Sequence, residues 1–266
     1  MSVYAEKEDW LRKSITSILI QSYSNFEFII ILDNPQNLAL LKILNEYKKK
    51  DSRIIILIND KNRGLAYSLN RGIDLAKGEF IARMDGDDIS ASSRFKDQIS
   101  FLNKNKNIDF LFTQINFIDE DGTKTGETFS TEEEYSHIQK TIFKGMLIMP
   151  HPSVMIRSKV LKELKYDVNC IRSQDLELWL RALSQGYEFQ IIEKKLLSYR
   201  IESSMDKRIS KNKTWALYRL KIYSKLYFSY FSNIWFHYSI IRTILEVILY
   251  LLPKVVIKKL MKIKSN

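Results

Sequence analysis

The chain is poor in the residues that mark special architectures. A single cysteine, Cys170, among 266 residues excludes an intrachain disulfide and a cysteine-based zinc site, which points to a reducing compartment. Three histidines leave little imidazole for metal chemistry. Only 8 glycines and 4 prolines exclude collagen-like and low-complexity character. The longest apolar run, residues 234–252, is interrupted by His237, Arg242 and Glu246, so a simple span of ~20 apolar residues is not expected. Residues 1–10 have neither the apolar stretch nor the small-residue cleavage site of a secretory leader, and the expected location is the cytoplasm. No internal repeat is found.

What the chain does have is an ordinary globular mixture, 45% hydrophobic and 27% charged, apolar enough for a sizeable core. Its length fits one large domain with an appendage. The net charge of +11 is unevenly spread. Residues 207–266 hold 13 Lys and Arg against one acid, Glu246, whereas residues 1–206 hold 29 bases and 30 acids. A neutral body with a basic tail says something about what the tail touches and little about chemistry. Composition also changes near Met205, beyond which no glycine remains and aromatics alternate with Lys and Arg. The expected organisation is a domain over residues 1–205 and a helical, basic and aromatic extension over 206–266.

Apolar positions recurring every three or four residues predict helices over 8–21, 37–49, 65–76, 93–103, 131–143 and 174–185. Apolar runs predict covered strands over 26–32, 53–58, 79–84, 109–118, 153–157 and 189–199. The alternation implies an α/β fold with a mainly parallel central sheet flanked by crossover helices. In the extension, Leu217, Leu220, Tyr223 and Tyr227 suit one long helix, residues 235–252 a second and residues 255–263 a short basic third.

In such sheets ligands sit beyond the carboxyl ends of strands. The strand over 79–84 runs directly into Asp85-Gly86-Asp87-Asp88. Clustered carboxylates repel one another, and a divalent cation with phosphate ligands is one way to hold them together; hard oxygen ligands favour magnesium or manganese over zinc. A solvated turn that caps the next helix has the same residues. Asp33, ending the strand over 26–32, could accept hydrogen bonds from a base or ribose, or initiate the turn at Asn34-Pro35. Asp175, opening the helix after Ser173-Gln174, could be a helix cap or a carboxylate base aimed at the ligand edge. His151, between Pro150 and Pro152, could contact an acceptor or a diphosphate, or serve as a turn residue. Trp179 has the spacing of a core residue.

The stretches Ser2-Val3-Tyr4, Phe28-Ile29-Ile30-Ile31-Leu32-Asp33, Asn62-Arg63-Gly64, Arg83-Met84-Asp85-Gly86-Asp87-Asp88, His151-Pro152-Ser153 and Gln174-Asp175-Leu176-Glu177, in this order and spacing across residues 2–205, resemble family-2 glycosyltransferases of the surface-polysaccharide type. The resemblance implies a GT-A fold and inverting transfer of a sugar from a nucleoside diphosphate, most often UDP, with Mg²⁺ or Mn²⁺. It implies an acceptor that is a saccharide or lipid-linked saccharide of O-antigen, capsule or exopolysaccharide synthesis. By the same resemblance, Val3, Tyr4 and Asp33 face the nucleotide, Asp85 the ribose or donor sugar, Asp87 the metal, and Asp175 is the general base. Arg63 and Arg83 are candidate diphosphate contacts, each with a packing role as its alternative. A catalytically inactive scaffold that binds nucleotide or a partner is the other reading.

Two departures from the pattern stand out. Met1 directly precedes Ser2-Val3-Tyr4, where the family carries a full apolar strand, so a start further upstream is expected. The acidic stretch after the strand over 26–32 is reduced to Leu32-Asp33-Asn34-Pro35. A tail both apolar and basic fits a peripheral position on the inner face of the cell membrane, where cations near an anionic leaflet contribute roughly 1 kcal/mol each. Nucleic acid is not the expected partner, because the charge is diluted through apolar helices without a recognisable binding module.

Overall fold

A computed structural model describes residues 1–128, 132–143, 149–201 and 205–252. The first half alternates strand and helix: β1 (Ser2–Val3), α1 (Glu8–Leu19), β2 (Phe28–Leu32), α2 (Leu38–Lys50), β3 (Ile54–Ile58), α3 (Leu65–Leu75) and β4 (Phe80–Ala82). Then follow β5 (Ile89–Ser90), α4 (Arg94–Lys104), β6 (Phe110–Ile118), β7 (Lys124–Glu127), α5 (Glu132–Ser136) and α6 (Ile138–Phe143). The last part contains β8 (Met155–Arg157), α7 (Ser158–Leu164), α8 (Gln174–Ser184), β9 (Phe189–Arg200), α9 (Met205–Lys225) and α10 (Ile234–Leu249).

Local chemistry explains the helix boundaries. Glu8 and Asp9 place negative charge at the start of α1, where the helix dipole favours it, and Leu11, Ile15 and Ile18 form its buried stripe. The Asn37 side chain accepts from Leu40 N–H at 3.1 Å and caps α2, which ends on Lys48, Lys49 and Lys50. Gly64, at φ +87, supplies the left-handed turn ahead of α3 that a side chain would oppose.

The fold is the expected α/β one with a central sheet flanked by helices, its strands mixed rather than all parallel. Strands β1, β2 and β3 are parallel neighbours in that order, whereas the larger part runs β4-β8-β6-β9-β5 with β7 beside β6. Within it only β6 and β9 are parallel; the β4–β8, β6–β8, β5–β9 and β6–β7 pairs are antiparallel. A parallel bridge between Ser2 and Asp85 joins the two parts. The reason for the difference is that an apolar run reports a strand covered on both faces, while its direction depends on the connections. The strand expected over 153–157 is shorter, because His151–Ser153 form a 3₁₀ turn around Pro152. The third helix expected at 255–263 lies outside the described residues.

Two apolar clusters lie on the two sides of the sheet. One gathers α1, α2, β1–β3 and α4, with Leu11, Ile15, Ile30, Leu44 and Leu102 inaccessible or nearly so. The other gathers Phe110, Phe112, Phe143, Trp179 and Phe189 with Tyr223, Tyr230 and Phe236 of the extension. Phe143 meets Tyr230 and Phe236 at ring separations of 5.3 and 5.4 Å, and Tyr230 Oη donates to Leu180 O at 2.6 Å. The extension therefore shares a core with α8 and β6. Helix α10 buries Phe236, Ser239 and Thr243 and turns Ile234, Ile241, Leu245 and Ile248 outward. Among the described residues no helix is long and apolar enough to cross a membrane.

Met1 lies inside the sheet. Its ammonium donates to Ile29 O at 3.0 Å, and its carbonyl accepts from Ile31 N at 2.9 Å. Burial lowers the pKa of this amine to about 5, with the Arg83 charge adding to the effect. Along the line of β1, between β2 and β4, lies a cavity of about 650 Å³ whose walls include Ile29, Ile73, Ile81, Phe95 and Tyr166.

Candidate active site

The end of β4 is held by α1 and α4 before any ligand is considered. Ser14 Oγ donates to Asp85 O at 2.8 Å, Ser17 Oγ accepts from Ser90 N at 3.0 Å, and Gln21 Nε2 donates to Ala91 O at 2.7 Å. Arg94, fully buried, donates to Arg83 O at 2.8 Å and to Gln98 at 3.0 Å. Gly86 is closely packed: a Cβ there would stand 3.1 Å from the Glu6 side chain and 3.2 Å from Val3 Cγ1. These contacts fix a loop that presents Asp85, Asp87 and Asp88 with ligand oxygens all within 4.8 Å of one another.

The negative charge of this cluster is only partly offset. Asp85 pairs with Arg83, whose side chain is 6% exposed. Burial raises the Asp87 pKa to about 6, with the neighbouring Asp85 charge adding to it. Burial also pushes Asp88 well above the ordinary carboxylate range, and Asp85 and Asp87 push it further. Asp88 Oδ1 accepts from Arg200 N at 2.9 Å, while its Oδ2 and Arg83 Nε are buried without a hydrogen-bond partner. Glu6 is a fourth acid beside them, raised by burial and by Asp87 and Asp85. Three hard oxygen donors within reach of one point, with an orphaned carboxylate oxygen among them, fit a divalent cation.

Arg200, at the end of β9, touches the same loop from behind. Its Nε donates to Asp87 O at 2.9 Å, and its Nη1 donates to Asp119 O at 2.6 Å and Glu120 O at 2.9 Å. Its guanidinium lies 4.7 Å over the Trp10 ring, and Trp10 Nε1 donates to Glu120 O at 3.1 Å.

The structure places the other candidates around this loop. Val3 is buried and accepts at its carbonyl from Asp33 N at 2.8 Å, while Tyr4 is exposed. Asp33 is buried, and its carboxylate takes Arg63 N at 2.8 Å, Gly64 N at 2.9 Å and the Asn59 amide. It thereby ties the end of β2 to the loop that starts α3. The Arg63 side chain is half-exposed and paired with Asp60. His151 is buried, its Nε2 2.7 Å from Tyr166 Oη, and burial and the Arg83 charge hold its pKa well below the usual histidine range. Asp175 stands in the first turn of α8, just after Ser173 at φ +53, and accepts from Leu176 N at 2.9 Å. Burial raises its pKa, and the charges of Arg83 and Asp85 are near enough to act on it. Trp179 is core, against Phe110 and Phe112.

Several neighbours were absent from the sequence reading: Glu6, Asn59, Tyr166 and Arg200. Glu6 carried a signal, being an acid next to Tyr4. The other three act through a buried amide, a phenol on a histidine and a set of backbone carbonyls, none of which has a sequence pattern.

Residues 1–165 match the family described as Glycosyl transferase family 2. An uncharacterized glycosyltransferase of Methanocaldococcus jannaschii is 39% identical over 272 residues, covering 100% of this chain and 92% of that protein. The O-antigen biosynthesis glycosyltransferase WbnJ of Escherichia coli is 31% identical over 194 residues, covering 71% of this chain and 74% of WbnJ. Among solved structures, the mannosyltransferase PcManGT of Pyrobaculum calidifontis, in complex with GDP-Man and Mn²⁺, superposes with a TM-score of 0.67 at 11% identity, covering 90% of this chain and 67% of PcManGT. Residues 1–349 of Staphylococcus aureus TarS, in complex with UDP-GlcNAc, superpose with a TM-score of 0.61 at 16% identity, covering 87% of this chain and 72% of that one. The chain spans 43% of the longer TarS structure. At these identities the structural likeness shows a GT-A-like fold alone.

Proposed function

The chain belongs to glycosyl transferase family 2, and from that premise we propose that it is an inverting, metal-dependent transferase. In this reading it moves a hexosyl or N-acetylhexosaminyl group from a nucleoside diphosphate, UDP first among the candidates, to a saccharide or lipid-linked saccharide of surface-polysaccharide synthesis. The observation that carries the reading is the crowded acidic loop of Asp85, Asp87 and Asp88, with the partly buried carboxylate of Asp175 near enough for the Asp85 charge to act on it.

Each residue has a role that its chemistry suits. Asp87, with Asp85 beside it, would hold a Mg²⁺ or Mn²⁺ ion, which supplies positive charge against the negative charge growing on the departing diphosphate. Arg83, with an unsatisfied Nε, would donate to a diphosphate or donor-sugar oxygen. Val3, Tyr4 and Asp33 would line the nucleobase and ribose, with Asp33 made rigid by Asn59, Arg63 N and Gly64 N. Asp175 would accept the proton of the acceptor hydroxyl as its oxygen bonds to the anomeric carbon and the bond to the diphosphate breaks. Burial raises its proton affinity, which favours a base over a spectator. Attack from the face opposite the leaving group inverts that carbon. His151, neutral and bonded to Tyr166, would shape the acceptor side.

The extension suits a lipid surface. An amphipathic helix normally turns its apolar stripe inward, but α10 keeps Ser239 and Thr243 inside and Ile234, Ile241, Leu245 and Ile248 outside. With 13 Lys and Arg in residues 207–266, an anionic leaflet is the complementary partner. Residues 1–205 would then carry the chemistry and residues 206–266 the anchorage.

The test of the donor site is the thermal midpoint with UDP, with and without Mn²⁺, beside Asp87→Ala. A ligand at about 100 times its dissociation constant stabilises by roughly 2.7 kcal/mol. A Mn²⁺-dependent rise that Asp87→Ala abolishes is expected, together with UDP release from a UDP-sugar. Nucleotide binding without release from any sugar nucleotide would favour the inactive scaffold instead.

A further inference from the structure

One buried cation beside the acidic loop has no part in the mechanism above. Arg200 is 7% exposed, yet its side chain is spent on backbone carbonyls: those of Asp87, Asp119 and Glu120, at 2.6 to 2.9 Å. Its own N–H completes the set on the Asp88 carboxylate at 2.9 Å. The three carbonyls belong to two segments, the acidic loop and the turn that begins after β6, which lie beside β9 through its pairing with β5 and β6. A third segment, the start of α1, is attached through Trp10, which stacks on the guanidinium and donates to Glu120 O. Lys7 closes the ring with an ion pair to Glu120 at 2.8 Å.

The geometry bears on Asp87 directly. Fixing a residue's carbonyl oxygen fixes its ψ angle, and ψ determines how its side chain is carried relative to its neighbours. We propose that Arg200 is a positioning residue for the cation site: by holding the Asp87 carbonyl, it sets the angle at which the Asp87 carboxylate faces Asp85 and Asp88. The inference rests on the reading of Asp85 and Asp87 as the cation site for the donor diphosphate. The planar fork of the guanidinium is needed because Nε and Nη1 serve different carbonyls at once, which one ammonium cannot reproduce. Groups that orient a metal ligand without touching the metal change affinity by about 10- to 100-fold when removed.

The experiment titrates the full chain with Mn²⁺ in the presence of UDP and reads bound metal from the loss of the free-ion EPR signal. Wild type, Asp87→Ala, Arg200→Ala and Arg200→Lys are compared, each with its thermal midpoint. Arg200→Ala is expected to stay folded and to weaken Mn²⁺ binding by about 10- to 100-fold, and Arg200→Lys to recover part of the loss. A folded Arg200→Ala with unchanged Mn²⁺ affinity overturns the proposal. If the alanine variant does not fold, Arg200→Lys, which keeps the charge and the aliphatic stem, decides on the same criterion. Failure of the underlying reading looks different: wild type itself would take up no Mn²⁺ with UDP, and Asp87→Ala would be indistinguishable from it.

Discussion

Replacing Asp175 by asparagine separates chemistry from structure more cleanly than any other change in this protein. The Asp175 side chain is partly buried and its carboxylate accepts from Leu176 N at 2.9 Å, a bond the asparagine carbonyl retains. What the substitution removes is a partly buried charge and a proton acceptor. Burial raises the pKa of this acid in the folded chain, so its ionised form opposes folding. That cost is absent below the unfolded carboxylate pKa of about 3.9 and grows as pH rises toward the folded value, because the folded state then binds more protons than the unfolded one. Asp175→Asn should therefore match wild type in stability near pH 4 and equal or exceed it at pH 7 to 8, the pH values at which the two are to be compared. Its turnover should fall by about 10²- to 10⁴-fold, or roughly 2.7–5.5 kcal/mol, the range for a positioned general base. The assay is UDP release from the sugar nucleotide that supports turnover, with Mn²⁺-dependent UDP binding measured in parallel and expected to persist. A variant that keeps wild-type turnover, or that loses stability at neutral pH, refutes the assignment of Asp175 as the base.

Other perturbations test the surroundings of the site. Asp88→Asn removes a buried carboxylate with one orphaned oxygen; since its folded pKa is raised, the variant should melt higher than wild type at pH 8 without metal and alike near pH 4. Gly86→Ala forces a Cβ to 3.2 Å from Val3 Cγ1 and should cost about 1–3 kcal/mol in chemical denaturation, as overpacking does. Phe236→Ala empties a site shared with Phe143 and Tyr230 and should cost about 3–5 kcal/mol, seen as a lower midpoint of a single unfolding transition; a second, independent transition would show that the extension folds apart. Ile241→Glu with Leu245→Glu changes only outward positions of α10, so the midpoint should hold while sedimentation with phosphatidylglycerol liposomes at low salt is lost. These point variants replace truncation at residue 206, which would strip Tyr223, Tyr230 and Phe236 from the core.

The helices were legible in the sequence because burial of one stripe imposes a three- and four-residue rhythm, and α1, α2, α3, α4 and α8 lie where that rhythm put them. The acidic loop was legible too, since four consecutive residues at a strand end carry the pattern. Sheet direction was not: β8 and β4 are short, apolar and antiparallel, and nothing in Met155–Arg157 distinguishes that from a parallel strand. Strand β7, Lys-Thr-Gly-Glu in sequence, has no apolar pattern and exists because Asp119 accepts from Asp121 N and Thr123 N to close its turn. Asp33 could be picked out as an acid at a strand end, but that its oxygens are engaged by Asn59, Arg63 N and Gly64 N depended on where the chain returns thirty residues later. Arg200 was unreadable for the same reason, its partners being carbonyls that every residue possesses.

The hydrogen bond from Tyr230 to the carbonyl of Leu180 has a bearing on which hydroxyls the enzyme can reach. Leu180 lies on α8, whose first turn carries Asp175, and Tyr230 lies in the turn that leads into α10, so the two ends of this path pack into one core. A bilayer gripping the outer face of α10 would hold the proton acceptor at a set altitude and tilt above the lipid headgroups. Selection among acceptors would then work as a ruler: a hydroxyl too near the membrane or too far along a growing glycan would fail by distance, whatever its chemistry.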